Sequence, residues 1–395
     1  MYSTLLVLVV AGLAGPVLSA WKRPLVPVVV GELLAGIILG RTGLGWIDPA
    51  SGAMPAFYGL GFGLLMVTAG QHVDIASPGF RASLAMAIRL FVAVAIVAVP
   101  VGLAIAAVVG GVPALLVMIL LSGSSAAVVM PIVEEHQLAG PAVTTLTGWI
   151  GLADGLTVVA MPLALTGAGR VAPALAGDGA IIALAAALLW LTIRYEGRLL
   201  AADLVERSRQ RAWALQLRLS LVVLLVLAWV AEATGASLLV AGFATGVILA
   251  RVARSDRLAL QLMGLANGFL VPAFFVLLGA TLDIRALAGS APAIALALLM
   301  GAGSVAVHLL AARVAPAGER VPLGLSASAQ LGLPAAAAVL RLGTGALSPA
   351  AAAAFVAGGC LTIVPAAIGG DLLARHLGGS GATVPVPEAQ GAASA

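Results

Sequence analysis

The chain has 395 residues, 62% of them hydrophobic and 9% charged, with a formal net charge of +4 and a mean hydropathy of +1.15. A water-soluble domain carries about 25% charged residues, so this composition excludes one and describes an all-α polytopic membrane protein. The single cysteine, Cys360, lies in an apolar run. That excludes a disulfide framework, a cysteine-based zinc site and a dithiol redox motif. No cofactor and no nucleic-acid partner is expected.

A transmembrane span needs about 20 apolar residues. Hydropathy and breaker residues place thirteen spans near 3-20, 24-40, 54-70, 84-110, 112-133, 141-166, 175-193, 212-234, 236-250, 264-281, 290-312, 321-341 and 349-374. The first run, "STLLVLVVAGLAGPVLSA", has the length and small-residue end of a signal peptide. No Lys or Arg precedes it, however, while Lys22 and Arg23 follow it, so a retained first helix is expected. The polar segment 194-211 after the seventh span reads as a solvated cytoplasmic linker. Residues 1-376 then form one transmembrane domain, and the Gly-, Ala- and Pro-rich residues 377-395 are expected to be a disordered cytoplasmic tail.

Alternate loops divide the cations unequally. Fourteen Lys and Arg residues fall on one side of the membrane and four, Arg41, Arg170, Arg285 and Arg341, on the other. By the positive-inside rule the C-terminus is cytoplasmic and the N-terminus outside, in a multi-pass inner (plasma) membrane protein.

Four ordered matches relate the two halves. "GIILGR" at 36-41 matches "GVILAR" at 246-251, and "GQHVDI" at 70-75 matches "GATLDI" at 279-284. "LSGS" at 121-124 matches "LSAS" at 325-328, and "LTVV" at 156-159 matches "LTIV" at 361-364. The offsets run from 204 to 210 and pair spans two, three, five and six with nine, ten, twelve and thirteen. Repeat one covers about 3-166, residues 175-211 connect, and repeat two covers about 212-374. A shift of seven spans is odd, so the units face opposite sides of the membrane. Inverted repeats are a signature of secondary transporters, with the substrate site near the midplane.

The best pointer to such a site is a pair of interrupted spans at matching positions. Spans five and twelve, "LSGSSAAVVMP" and "LSASAQLGLP", qualify, with Pro131 and Pro334 as the expected break positions. The plainer reading is a proline kink packed by small residues. Asp154 lies halfway along span six, where a charge costs on the order of 3 kcal/mol. A carboxylate there that meets either a proton or a cation is an exchange site in one residue. Its alternative roles are capping a nearby broken helix or pairing with an arginine. Ser124, Ser125 and Thr157 are candidate oxygen ligands, although such hydroxyls more often bond to their own helix. Glu32 in span two reads as a helix contact, and His308 as satisfied locally. His72, Asp74 and Asp283 sit at span ends, and Glu134, Glu135 and His136 resemble a metal cluster but read as solvated charges.

Several of these stretches resemble the cation:proton antiporter superfamily, in the branch of bacterial sodium/proton exchangers and the membrane domains of glutathione-regulated potassium efflux systems. They are "VPVVVGELLAGIILGRTGLG", "GLGFGLLMVTAGQHVDI", "LSGSSAAVVMPIVEE" and "VPAFFVLLGATLDI". The resemblance implies an inverted-repeat antiporter fold of about thirteen helices with two broken crossing helices. It also implies Asp154 as the ion carrier. The family's usual Asp-Asp or Asn-Asp pair is Ala153-Asp154 here, and its common lysine on span eleven is replaced by Gly303 or Ser304. Its frequent Arg-Gly-Glu reads Leu331-Gly332-Leu333, with Gln330 kept before it as a possible supporting ligand.

The expected function is exchange of protons for a monovalent cation, sodium or potassium, by alternating access. One titratable group at the site favours an electroneutral cycle. The expected partners are the bilayer and a second copy in a homodimer, and no metal beyond the carried cation is expected. Rival readings are a proton-coupled carrier of another small solute, a non-transporting sensor or scaffold, a channel, and an intramembrane aspartyl protease. The protease needs two facing buried aspartates, and this sequence offers one, so no enzymatic activity is expected.

Overall fold

The computed structural model describes residues 2-22, 28-71, 78-136, 138-165, 171-194, 207-208, 211, 213-234, 238-252, 261-262, 264-344 and 347-379. Every regular element among them is helical, as expected where a lipid-exposed backbone must satisfy its own polar groups. The sequence readings of His72 and Asp74, most of the 194-211 linker and residues 380-395 lie outside the described residues.

In the first half, α1 (Tyr2–Gly12) and α2 (Ala14–Lys22) fill the first span, with a turn at Leu13. There follow α3 (Val28–Leu39), α4 (Met54–Gln71) and α5 (Pro78–Val109). The fifth span is divided into α6 (Ala114–Ser122) and α7 (Ala126–Glu135), and α8 (Pro141–Leu165) is the sixth. The connector is α9 (Val171–Arg194). The second half runs through α10 (Leu215–Thr234), α11 (Leu238–Val252) and α12 (Val271–Thr281). A π-turn at Ala266–Leu270 leads into α12. Next come the short α13 (Ile284–Ala288), α14 (Ala291–Ala311), the divided pair α15 (Arg320–Ala327) and α16 (Gly332–Thr344), then α17 (Pro349–Leu361) and α18 (Ile363–Gly379). These helices account for the thirteen spans. Helix α18 takes in residues 377-379, assigned by sequence to the tail.

Among the described residues, six helical segments are long and apolar enough to cross a membrane, and the shorter apolar ones include Val28–Leu39 and Val240–Ala250. Their outward faces carry large apolar side chains, among them Leu6 and Val10 on α1, Ile96 and Leu103 on α5 and Trp229 on α10. Water would not tolerate so much apolar surface, whereas lipid tails cover it.

The inverted repeat is visible in four glycines that let helices touch backbone to backbone. A Cβ on Gly36 would stand 2.0 Å from the Val276 carbonyl oxygen, and one on Gly279 would stand 2.2 Å from that of Leu33. The same pattern joins α4 to α11: Gly70 meets the Phe243 oxygen at 2.2 Å, and Gly246 meets that of Val67 at 2.2 Å. Adding 209 or 210 to 33, 36, 67 and 70 gives 243, 246, 276 and 279. Exchanging the halves therefore turns the α3/α12 crossing into the α4/α11 crossing, as a two-fold axis between inverted repeats requires. Small residues at such crossings gain close van der Waals packing where lipid supplies no hydrophobic drive.

Around that frame sit α5, α6, α8, α14, α15 and α17, which pack chiefly on one another. They meet the α3/α4/α11/α12 frame along a thinner seam between α8 and the pair α4 and α11. There Gly155 would bring a Cβ within 3.3 Å of the Phe243 ring.

Candidate functional site

Both interrupted spans are true breaks, but the prolines do not mark them. The first break is Gly123-Ser124-Ser125 and the second runs from Ser328 to Leu331. Pro131 lies inside α7, and Pro334 is the third residue of α16. A proline in a first turn is tolerated because the N–H it lacks has no intrahelical partner there. What stops these helices is tertiary: the freed polar groups find partners far away in sequence.

Asp154 supplies the first of them. Its Oδ2 accepts a hydrogen bond from the Ala126 backbone N–H, the first residue of α7, at 3.2 Å. The carboxylate thus caps a half-helix in mid-protein, and none of its described contacts is an arginine. It also lines a small cavity of about 20 Å³ with Leu65, Met66, Ser125, Val158, Gly332 and Leu333, room for about one water molecule. An ideal Cβ on Gly332 would lie 4.0 Å from the Ser125 hydroxyl oxygen. The N-terminal end of α7 is capped by the carboxylate, and the N-terminal end of α16 faces the same cavity. A helix N-terminus carries about half a positive charge from aligned peptide dipoles, and Asp154 answers that of α7.

The C-terminal ends of the opposite half-helices receive neutral donors. Gln330 Nε2 donates to the Gly123 carbonyl at 3.2 Å, linking the two breaks directly. Ser304 Oγ, on α14, donates to the Ser328 carbonyl at 3.0 Å. Ser304 is one of the two residues standing where the resemblance implies a lysine, and here it offers a neutral hydroxyl to that carbonyl. The second break has one more internal tie. Thr362 Oγ1 accepts from the Gln330 backbone N–H at 2.8 Å and donates to the Gly359 carbonyl at 2.6 Å.

The other sequence candidates divide. Ser125 reaches the cavity, while Ser124 is buried beside it with its hydroxyl unpartnered. Thr157 Oγ1 donates to the Ala153 carbonyl of its own helix, the commoner fate of such hydroxyls, and its oxygen lies near Gly123. Glu32 is buried on α3, on the frame. His136 is not simply solvated: its Nε2 lies 2.9 Å from Asp371 Oδ1, tying the end of α7 to α18. Thr362 was not singled out from the sequence. The repeat held the signal, since an offset of 205 makes it the counterpart of Thr157.

A one-water cavity between two broken helices and one buried acid thus define the candidate site. The chain belongs to the family of the sodium/hydrogen exchanger, transmembrane, whose family model matches residues 5–370. It is similar to YjbQ of Bacillus subtilis (strain 168), itself proposed to be a Na(+)/H(+) antiporter, at 26% identity over 305 residues. That alignment takes in 71% of this chain and 47% of the relative, so the chain spans about half the length of the curated relative it matches. Among solved structures it resembles the sodium proton antiporter MjNhaP1 from Methanocaldococcus jannaschii at pH 8. The TM-score is 0.66 at 18% identity, over 94% of this chain and 97% of the other. At that identity the likeness shows a shared fold.

Proposed function

We propose that this chain exchanges protons for a monovalent cation, sodium or potassium, and that Asp154 is the group both compete for. The observation that carries the reading is the buried Asp154 carboxylate, exposed to a one-water cavity at the meeting of two half-helix N-termini. A proton neutralises the carboxylate; a cation replaces that proton on the same oxygens. One titratable group at this cavity favours one proton for one cation, an electroneutral cycle. Ser125 is placed to lend an oxygen, with Ser124 and Thr157 adjacent, while Gln330 holds the two breaks together. A cavity of about 20 Å³ suits a small ion better than an organic solute.

Alternating access follows from the division into two bodies. The bundle holding both breaks, α8 and α14 moves against the frame built on the glycine crossings, along the α8 seam, carrying Asp154 from one side of Leu65 and Met66 to the other. The frame is also the surface proposed to pair two copies in a dimer. The cation bias supports a plasma-membrane protein with its N-terminus outside and its C-terminus in the cytoplasm. The transmembrane domain is proposed to cover residues 1-376, as two repeats and a connector.

The test is proton movement in proteoliposomes after adding sodium, potassium or lithium, for the wild type beside Asp154→Asn. Exchange in the wild type alone supports the reading, and the responding ion names the cargo. Full proton-coupled flux from folded Asp154→Asn would overturn it.

A further inference from the structure

The half-helix α7 is ten residues long, about 15 Å. At one end the Ala126 N–H sits on Asp154. Just past the other end stands His136, and both of its ring nitrogens are engaged. Nδ1 is 3.0 Å from the Ile132 carbonyl oxygen one turn back in α7, and Nε2 is 2.9 Å from Asp371 Oδ1 on α18. Both partners are acceptors, a carbonyl and a carboxylate. A neutral imidazole has a single N–H and can serve one of them; only the imidazolium donates to both. Losing the second proton therefore removes one bond and the attraction of opposite charges together.

The charged form also suits its place, since a cation at a helix C-terminus meets the negative end of the peptide dipoles. The two side chains are 27% and 49% exposed, so water reaches the pair and can exchange the proton. The helices packed on α7 are chiefly α18, α8 and α4. Among the described residues, the ionisable groups that α18 brings to this end are Asp371, Arg375 and His376. His376 lies against Gly318. Arg375 stands one turn beyond Asp371, where it is the cation left for that carboxylate when the ring is neutral. Helix α8 offers Asp154, at the far end of α7, and α4 offers Tyr58, which packs on Phe274. Glu134 and Glu135 precede the ring in α7 itself.

We propose that His136 and Asp371 form a proton-held latch on α7: the imidazolium ties the end of that half-helix to α18, and loss of its proton loosens the tie. In the orientation proposed above, this end of α7 faces the cytoplasm, so the latch answers cytoplasmic pH. Its consequence for transport rests on the exchange reading. With the latch closed, α7 is held where the Ala126 N–H occupies Asp154 Oδ2, an oxygen that the cation must take. His136 and Asp371 are thus positioning residues, and the closed latch is a brake on exchange that is strongest at acid pH.

The experiment is a double-mutant cycle on the full chain in lipid nanodiscs. Melting temperatures are read for the wild type, His136→Ala, Asp371→Ala and the double variant at about pH 6 and about pH 9. At the lower pH the two losses are expected to be non-additive, because the second substitution finds the contact already gone. At the higher pH the coupling shrinks toward additivity. Additive losses at both values, or equal coupling at both, overturn the proposal, and this arm needs no transport. The second arm compares exchange in proteoliposomes, where dividing each variant rate by the wild-type rate at the same pH cancels the titration of Asp154. His136→Ala is expected to run about two- to fivefold faster than the wild type at about pH 6 and to match it at about pH 9. A ratio that does not change with pH overturns the latch as a brake. Coupling that depends on pH in a protein showing no cation-driven proton movement would keep the latch and remove the exchange reading instead.

Discussion

The two breaks occupy equivalent places in the two repeats, yet only one is built for charge. In the first, the acid at position 154 caps α7 through Ala126. In the second, the matching position is Gly359, where a Cβ would stand 2.4 Å from the Gln330 carbonyl oxygen. Where the first repeat uses a carboxylate, the second uses the Thr362 hydroxyl on Gln330. One break is sealed by neutral hydrogen bonds and close packing, and the other is left with a group that can change its charge. Symmetry supplies the gap, and the departure from symmetry supplies the chemistry.

Making the breaks alike tests that contrast. The largest effect is expected from Asp154→Gly, which gives the first break the second's residue: ion-driven proton movement in proteoliposomes falls to background. Next is Gly359→Ala. The Gln330 backbone must shift to admit the methyl group, at about 1–3 kcal/mol, read as a lower melting temperature in detergent. Thr362→Val leaves the Gln330 N–H unpaired, and buried bonds of this kind between helices are worth about 0.5–2 kcal/mol. Its melting temperature should therefore fall. Thr157→Val is the smallest, because that hydroxyl donates to a carbonyl of its own helix. The expected loss is under about 1 kcal/mol. A Thr157→Val loss equal to that of Thr362→Val would erase the proposed difference between the breaks.

Much of the frame was legible in the sequence because membrane spans are long apolar runs and the repeat left matching words. The glycines of "GIILGR" and "GVILAR" were visible as a pattern, and the crossings explain them: a side chain at Gly36 or Gly246 would strike a backbone. The breaks were legible only to within several residues. Proline is a conspicuous helix breaker, so Pro131 and Pro334 drew the assignment. The chain instead parts where Asp154, Gln330 and Thr362 satisfy the backbone, and those partners come from other spans. Tertiary partners also explain the misreadings nearby. His136 stands among charges at a span end, and only folding brings Asp371 to it. His308 was read as satisfied locally, which holds for Nδ1 and not for Nε2. Asp154 was legible because a lone charge in an apolar run is expensive enough to need a reason.

The central claim, that proton and cation compete for the Asp154 oxygens, is tested most directly by counting protons released when the purified protein binds its cation in weakly buffered solution. The account predicts about one proton released per cation bound in the wild type, and neither binding nor release in Asp154→Asn. Saturable cation binding to the wild type with no proton released, or release that survives Asp154→Asn, would contradict it.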